Sequence, residues 1–265
     1  MPKPFKLSRY FKLADVIIWS VGVVAIVASF FACGNTEYHY LIGAVIGVSA
    51  LVFVSEGNPV GQVLTVVFSV FYGVISYSFS YYGEMITYLG MSLPMAIVAL
   101  VLWLKNPYKG NRGEVKVNTL AMREWLIFLS AAVAVTIAFY FILRALDTAN
   151  LAVSTLSVLT SFVAAYLTAR RSRFYGLAYA LNDVVLIVMW IMASARSLTY
   201  LPMVVCFVAF LALDVYGFIN WSLMRKRQLA GEACPDASDA RTAIDPAPAP
   251  DDAYSVDDAP NGDAS

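Results

Sequence analysis

Eight apolar runs of about the length that crosses a bilayer decide what this chain can become. They are Val16–Cys33, Tyr40–Val54, Val60–Tyr82, Met85–Leu104, Leu126–Leu143, Leu151–Thr168, Phe174–Ala193 and Tyr200–Leu223. A hydrocarbon core ~30 Å thick is spanned by about 20 apolar residues, and each run is expected as a transmembrane helix. With 60% hydrophobic residues and a mean hydropathy of +0.70, the chain is too apolar for a soluble domain.

The net charge of zero hides an asymmetry. Residues 229–265 hold nine of the 18 acidic residues and one basic residue, Arg241, whereas residues 1–228 carry 17 basic against 9 acidic. With the N-terminus placed in the cytoplasm, the loops sort 16 Lys and Arg inside and leave only Arg144 and Arg196 outside. That split supports both the helix count and the orientation, with both termini cytoplasmic in a cell membrane. It also reads as membrane topology rather than nucleic-acid binding. Trp19, Trp103, Trp125 and Trp221 map to the inner interface, where an aromatic belt is expected, and Trp190 does not.

Phe31-Ala32-Cys33-Gly34 faintly resembles a lipoprotein cleavage site with Phe where an aliphatic residue belongs, so the first run is expected to stay as a helix. Cys33, Cys206 and Cys234 show no CxxC spacing and His39 stands alone, so neither a disulfide framework nor a metal site is expected. No Walker loop or GxGxxG is present, and no cofactor is expected. The basic segment 105–124 reads as a hinge between two halves, and the Asp-, Ala- and Pro-rich residues 229–265 as a disordered acidic cytoplasmic tail.

Helices two to four and six to eight both begin outside and end inside at a Trp followed by basic residues. Two three-helix units share one orientation only if a single helix links them, which the fifth supplies. The expected fold is an all-α integral membrane protein with a SWEET-like 3+1+3 plan of parallel repeats and one extra N-terminal helix. Its parts are 1–36, the extra helix; 37–105, the first repeat; 106–146, the loop and linking helix; 147–228, the second repeat; and 229–265, the tail. Gly43 and Gly47 in helix two, and Ser154, Thr155, Ser157, Thr160 and Ser161 in helix six, read either as close packing or as solute contacts. Pro94 is expected to kink helix four.

Asn182, Asp183 and Asp214 are costly in a bilayer, at about 2.5–3.5 kcal/mol for an Asp at a helix centre. Both aspartates stand nine residues from the inner end of their helix, Phe174 or Leu223. At 1.5 Å per residue that puts each roughly 13 Å above the inner boundary. Tyr175, Tyr179 and Asn182 share a face of helix seven, Asp183 lies with Trp190, and Asn220 is nearer the cytoplasm. No Lys or Arg lies in a helix core to pair with the aspartates. Structural support, a proton relay and contact with a neutral or cationic solute all remain open for them.

The run DTANLAVSTLSVLTSFVAAYLTARRSRFYGLAYALNDVVLIVMW, followed by FLALDVYGFINW, resembles the PnuC family of bacterial nicotinamide riboside transporters, also labelled nicotinamide mononucleotide transporters. GNPVG and YGVISYSFSYYGE fit the family's first triplet, and the resemblance covers about residues 37–228. It implies uptake of a vitamin-like nucleoside by facilitated diffusion, with trapping by a cytoplasmic nucleoside or vitamin kinase. It implies a hydrogen bond from Asn182 to the ribose or carboxamide; Tyr175, Tyr179 and Trp190 are candidates for stacking around the ring, and Asp183, Asp214 and Asn220 complete the candidate site. Ala178 and Tyr179 stand where members often carry Trp. Related branches take thiamine or riboflavin, and self-association stays open. An intramembrane aspartyl enzyme is the alternative from another class, but LNDVV and ALDVY lack the surroundings of such active sites.

Overall fold

The computed structural model describes residues 12–36, 38–78, 81–148 and 150–233. Among them are eight helical spans long and apolar enough to cross a membrane. In order they are α1 (Leu13–Ala32), α2 (Tyr38–Ser55), α3 (Val60–Ser78), the composite of α4 (Tyr82–Thr87) and α5 (Leu93–Lys105), α6 (Met122–Ala145), α7 (Leu151–Ala169), α8 (Tyr175–Ser194) and α9 (Leu201–Ala233). The chain is a mostly helical multi-pass membrane protein. Lys3, Lys6 and Arg9 lie outside the described residues, and so does the acidic tail beyond residue 233. Leu229–Ser265 separates as a second unit, of which only the end of α9 is described.

Burial ranks the spans by distance from the centre. More than half of the α8 span is buried, against 22% of the α1 span and 17% of the α6 span. The last two therefore present most of their apolar surface to lipid. The α2–α3 and α7–α8 pairs pack closely, and α5 touches both α3 and α7. The kink expected at Pro94 takes the form of a π turn, Tyr88–Ser92, in which the Leu93 N–H reaches back to the Tyr88 carbonyl. Proline removes a backbone donor from the next turn, and the wider turn absorbs the mismatch. The helix expected to end at Leu223 continues to Ala233. At 1.5 Å per residue, α9 is about 50 Å long and projects beyond a ~30 Å hydrocarbon core.

The C-termini of α2 and α7 are built alike. Each ends in a left-handed residue, Gly57 with φ 69° and Arg171 with φ 57°. In each the chain turns with the same pair of bonds: Gly57 N to Val54 O and Asn58 N to Phe53 O, Arg171 N to Thr168 O and Ser172 N to Leu167 O. This is the Schellman arrangement that satisfies the last helical carbonyls. Trp221 from α9 donates its indole N–H to the Val54 carbonyl, and Trp103 from α5 donates its own to Thr168, both at 2.9 Å.

The segment expected as a hinge folds instead into a strap. Strands β1 (Pro107–Tyr108) and β2 (Asn111–Val115) form a hairpin. The Val115 N–H bonds Gly57 O and the Asn118 N–H bonds Arg171 O, so the end of β2 is pinned to one of the two matched turns and the segment just after it to the other. Buried Gln228 fastens the strap from α9. Its amide donates to Glu114 and to the Val115 carbonyl, and its oxygen accepts from Val117 N. Arg227 pairs with Glu114 at 2.6 Å. Replacing Gln228 by Ala leaves the Val115 carbonyl and the Val117 N–H unmatched, a cost of about 1–3 kcal/mol. Amide hydrogen exchange across residues 106–118 is expected to quicken by roughly tenfold or more in Gln228→Ala; unchanged protection would show that the clamp contributes nothing.

Candidate functional site

A cavity of about 60 Å³ lies between the α2, α3 and α5 side and the α7, α8 and α9 side of the bundle. Its apolar walls are Leu51, Val54, Phe68, Met95, Ala96, Ala99 and Phe210, and its polar lining includes Gln62, Thr65, Ser69, Ser161, Tyr179, Asn182, Asp183 and Asp214. Small residues make the space. Gly47 of α2 lines it, and any β-carbon there would run into the rings of Phe68 and Phe210. Gly43, one turn away, faces Phe71 and Ile75 of α3 and is a packing residue.

Asn182 is held by its oxygen. The hydroxyls of Thr160 and Ser161 on α7 donate to Asn182 Oδ1 at 2.8 and 2.9 Å. Among the described residues its NH2 group bonds no protein partner, which leaves two donors beside the cavity. Gln62 of α3 is 2% exposed and lines the same space. Thr65 and Ser69, by contrast, bond carbonyls one turn back in their own helix. The two amides keep donors for a solute, whereas the hydroxyls of Thr65, Ser69, Thr160 and Ser161 donate within the protein.

Aromatic layers flank it on both sides. On the side of the short α8–α9 loop, Tyr72 and Tyr88 approach to 4.1 Å between ring centroids, and Trp190 donates to the Tyr72 hydroxyl at 3.0 Å. Phe68, Phe207 and Phe210 pack into the same layer. On the strap side, Trp221 packs against Tyr175 and Trp103 at 4.7 and 5.4 Å, with Val115 of the strap buried among them. The space left between the layers holds about two waters at ~30 Å³ each. It is well under the ~300–1,000 Å³ of pockets that enclose small organic molecules.

The structure brings Tyr179, Asn182, Asp183 and Asp214 to the cavity wall. Tyr175 and Trp190 lie behind it, one in each aromatic layer. Asn220 is elsewhere: it lines a second pocket of about 630 Å³ on the strap side, together with Lys12, Glu56, Glu114 and Arg227. There it donates to Ser55 O and Glu56 Oε1 and accepts from Lys12 Nζ. Burial raises the Glu56 carboxyl above its ordinary range; Asp15 adds to the rise and Lys12 opposes it. The belt reading fails for Trp103 and Trp221, which are 1% and 0% exposed because each indole N–H is used inside the bundle.

Two polar residues escaped the sequence reading. Gln62 sits near the end of its span, where a polar residue normally meets headgroups and signals nothing. Glu84 falls in what reads as an outer loop, yet it is 1% exposed and accepts from Ser157 of α7 at 3.0 Å, tying α4 to α7.

Residues 37–223 match the family model described as nicotinamide mononucleotide transporter. The chain is 28% identical to the nicotinamide riboside transporter PnuC of Neisseria mucosa over 214 residues, covering 79% of this chain and 81% of that protein. It is 24% identical to the nicotinamide riboside transporter PnuC of Haemophilus influenzae, over 80% of this chain and 91% of the relative. A crystal structure of the vitamin B3 transporter PnuC superposes with a TM-score of 0.72 at 26% identity, over 82% of this chain and 94% of its own.

Proposed function

The chain belongs to the nicotinamide mononucleotide transporter family, and from that premise we propose that it carries nicotinamide riboside across a bacterial cell membrane by facilitated diffusion. The family is one of transporters, not of intramembrane aspartyl enzymes. The observation that carries the reading is the cavity: two amides and two carboxyls at mid-bundle, flanked on both sides by aromatic layers. Asn182 bonds the carboxamide or ribose, with Tyr179 against the ring. Tyr175 and Trp190 hold the closing layers and meet the solute as those layers part. Asn220 belongs to the cytoplasmic pocket that the solute enters on release. The cavity must widen to admit a nucleoside, so the aromatic layers open in turn.

Residues 37–105 and 147–228 form two parallel repeats, with 106–146 as loop and linking helix and 1–36 as an addition. The matched C-termini of α2 and α7 support this, as does the exchange of Trp221 and Trp103 between the halves. The loops rich in Lys and Arg support a cytoplasmic strap and cytoplasmic termini. A cytoplasmic kinase that phosphorylates the product draws uptake inward without energy from this chain.

Labelled nicotinamide riboside should equilibrate into proteoliposomes saturably, at one rate with or without a proton gradient. Excess thiamine or riboflavin should leave that rate unchanged. Absence of movement, or displacement by either vitamin, would overturn the substrate assignment; a rate that follows the gradient would overturn facilitated diffusion.

A further inference from the structure

α1 (Leu13–Ala32), an addition to the two triplets, is built like the linking helix α6 (Met122–Ala145) at both ends. Each carries a carboxylate at its third residue, Asp15 and Glu124. Each is followed by a left-handed residue, Gly34 with φ 64° and Asp147 with φ 50°. The same pair of bonds closes each end: Gly34 N to Phe31 O and Asn35 N to Phe30 O, Asp147 N to Arg144 O and Thr148 N to Leu143 O. The next helix then begins four residues further on in both cases, α2 at Tyr38 and α7 at Leu151. Phe30 and Leu143 hold equivalent places and are both buried, while most of either helix faces lipid.

The strap-side ends match as well, with the charges exchanged. Trp221 donates to Val54 O, and two positions on stands Glu56, paired at 3.1 Å with Lys12 at the start of α1. Trp103 donates to Thr168 O, and two positions on stands Arg170, paired with Glu124 at the start of α6. The turn after α7 is basic, so the carboxylate of α6 serves it directly. The turn after α2 carries an acid instead. Asp15 therefore accepts the Lys12 backbone N–H at 2.6 Å, and the Lys12 ammonium supplies the opposite charge. Lys12 Nζ also donates to Asn220 Oδ1, whose Nδ2 donates to Ser55 O and Glu56 Oε1. Leu102 stands before Trp103 where Asn220 stands before Trp221, so that place carries an amide bridge in one half and an apolar side chain in the other.

We infer that α1 is the first half's counterpart of α6, and that Lys12 is a positioning residue for transport which holds the α2 turn against α9. It acts through Glu56 and Asn220 and not on the solute in the cavity. Val54, whose carbonyl takes the Trp221 indole N–H, also lines that cavity, so the turn and the cavity wall move as one piece. The strap-side layer parts and reseals once in each cycle, and Lys12 sets where the α2 turn returns. This rests on the transport reading above and deepens it, by giving α1 a part in the cycle.

The experiment sets the maximal uptake rate of labelled nicotinamide riboside into proteoliposomes beside its calorimetric binding to purified full-length protein. Lys12→Met keeps the aliphatic stem and removes the charge. Its rate per inserted protein should fall about threefold with Kd unchanged, the scale of a half-exposed ion pair. Lys12→Arg should recover most of that loss, and adding Glu56→Gln to Lys12→Met should cost little more, because the two residues act as a pair. Glu124→Gln, at the matched place, should show the same split between rate and affinity. A wild-type rate in Lys12→Met or in Glu124→Gln, or no recovery in Lys12→Arg, would overturn the inference and leave the transport reading standing. So would joint loss of rate and binding in Lys12→Met, which would make α1 a part of the fold alone. Wild type that moves no nicotinamide riboside would overturn the transport reading, and the inference with it.

Discussion

Uptake of nicotinamide riboside is expected to fall by roughly 10- to 100-fold in Asn182→Ala while the protein still inserts and purifies as a single species. Asn182 separates its two jobs by atom. Its oxygen is spent on Thr160 and Ser161, which fix the side chain's rotation between α7 and α8. Its NH2 faces the cavity and is left for the solute. Alanine removes the donors outright, and a buried polar group of the solute then goes unmatched at about 1–3 kcal/mol, where each 1.4 kcal/mol is tenfold. The fold loses less. Thr160 keeps its carbonyl acceptors Leu156 and Ser157, so only Ser161 gives up its sole acceptor among the described residues. Ser161→Ala should therefore weaken uptake by a smaller factor, through a looser Asn182. Initial-rate uptake normalised to inserted protein checks both. Near-normal transport by Asn182→Ala would remove Asn182 from the site.

Gly176→Val is expected to have the largest effect on stability. A β-carbon on Gly176 would stand 2.5 Å from the Asp214 carbonyl oxygen and 2.7 Å from the Phe218 nitrogen. Both are backbone atoms of α9, which cannot swing aside as a side chain can. Gly176 also lies two turns below Asp183 on the helix face that meets α9, so the wedge would open beneath the carboxyl pair. Overpacking costs typically 1–3 kcal/mol, and a β-branched residue against backbone belongs at about 3 kcal/mol. Most of the protein should be lost to aggregation or melt well below wild type in detergent. Gly90→Ala is the control, since its β-carbon would meet only Ile86 Cγ2 at 3.8 Å. Its melting temperature should be unchanged or slightly raised. A Gly176→Val protein as stable as wild type would mean that α8 and α9 do not touch there.

Asn182 and Asp183 could be found from the sequence because a polar residue in mid-span stands out against lipid. Gln62 could not, because it sits at a depth where polar residues are ordinary. Trp103 and Trp221 show the converse error. At the ends of apolar runs they have the address of belt residues, but their indole N–H groups are taken by carbonyls 65 and 167 residues away. Nothing near either tryptophan in the chain announces such a partner.

The sequence by itself determined eight membrane-length spans and marked Asn182, Asp183 and Asp214 as polar residues in mid-span. The bilayer imposes one strong gradient along its normal, and hydropathy and charge record position along that axis. The angular arrangement around the axis was decided only by the tertiary structure. It set which face of α8 meets α9, that Asn182 spends its oxygen on α7, that Asn220 belongs to the strap-side pocket, and that residues 106–118 fasten across two matched turns. Lipid is as apolar as leucine, so a lipid-facing residue and a core residue look alike in one dimension. Only close packing of small residues and long-range hydrogen bonds tells them apart.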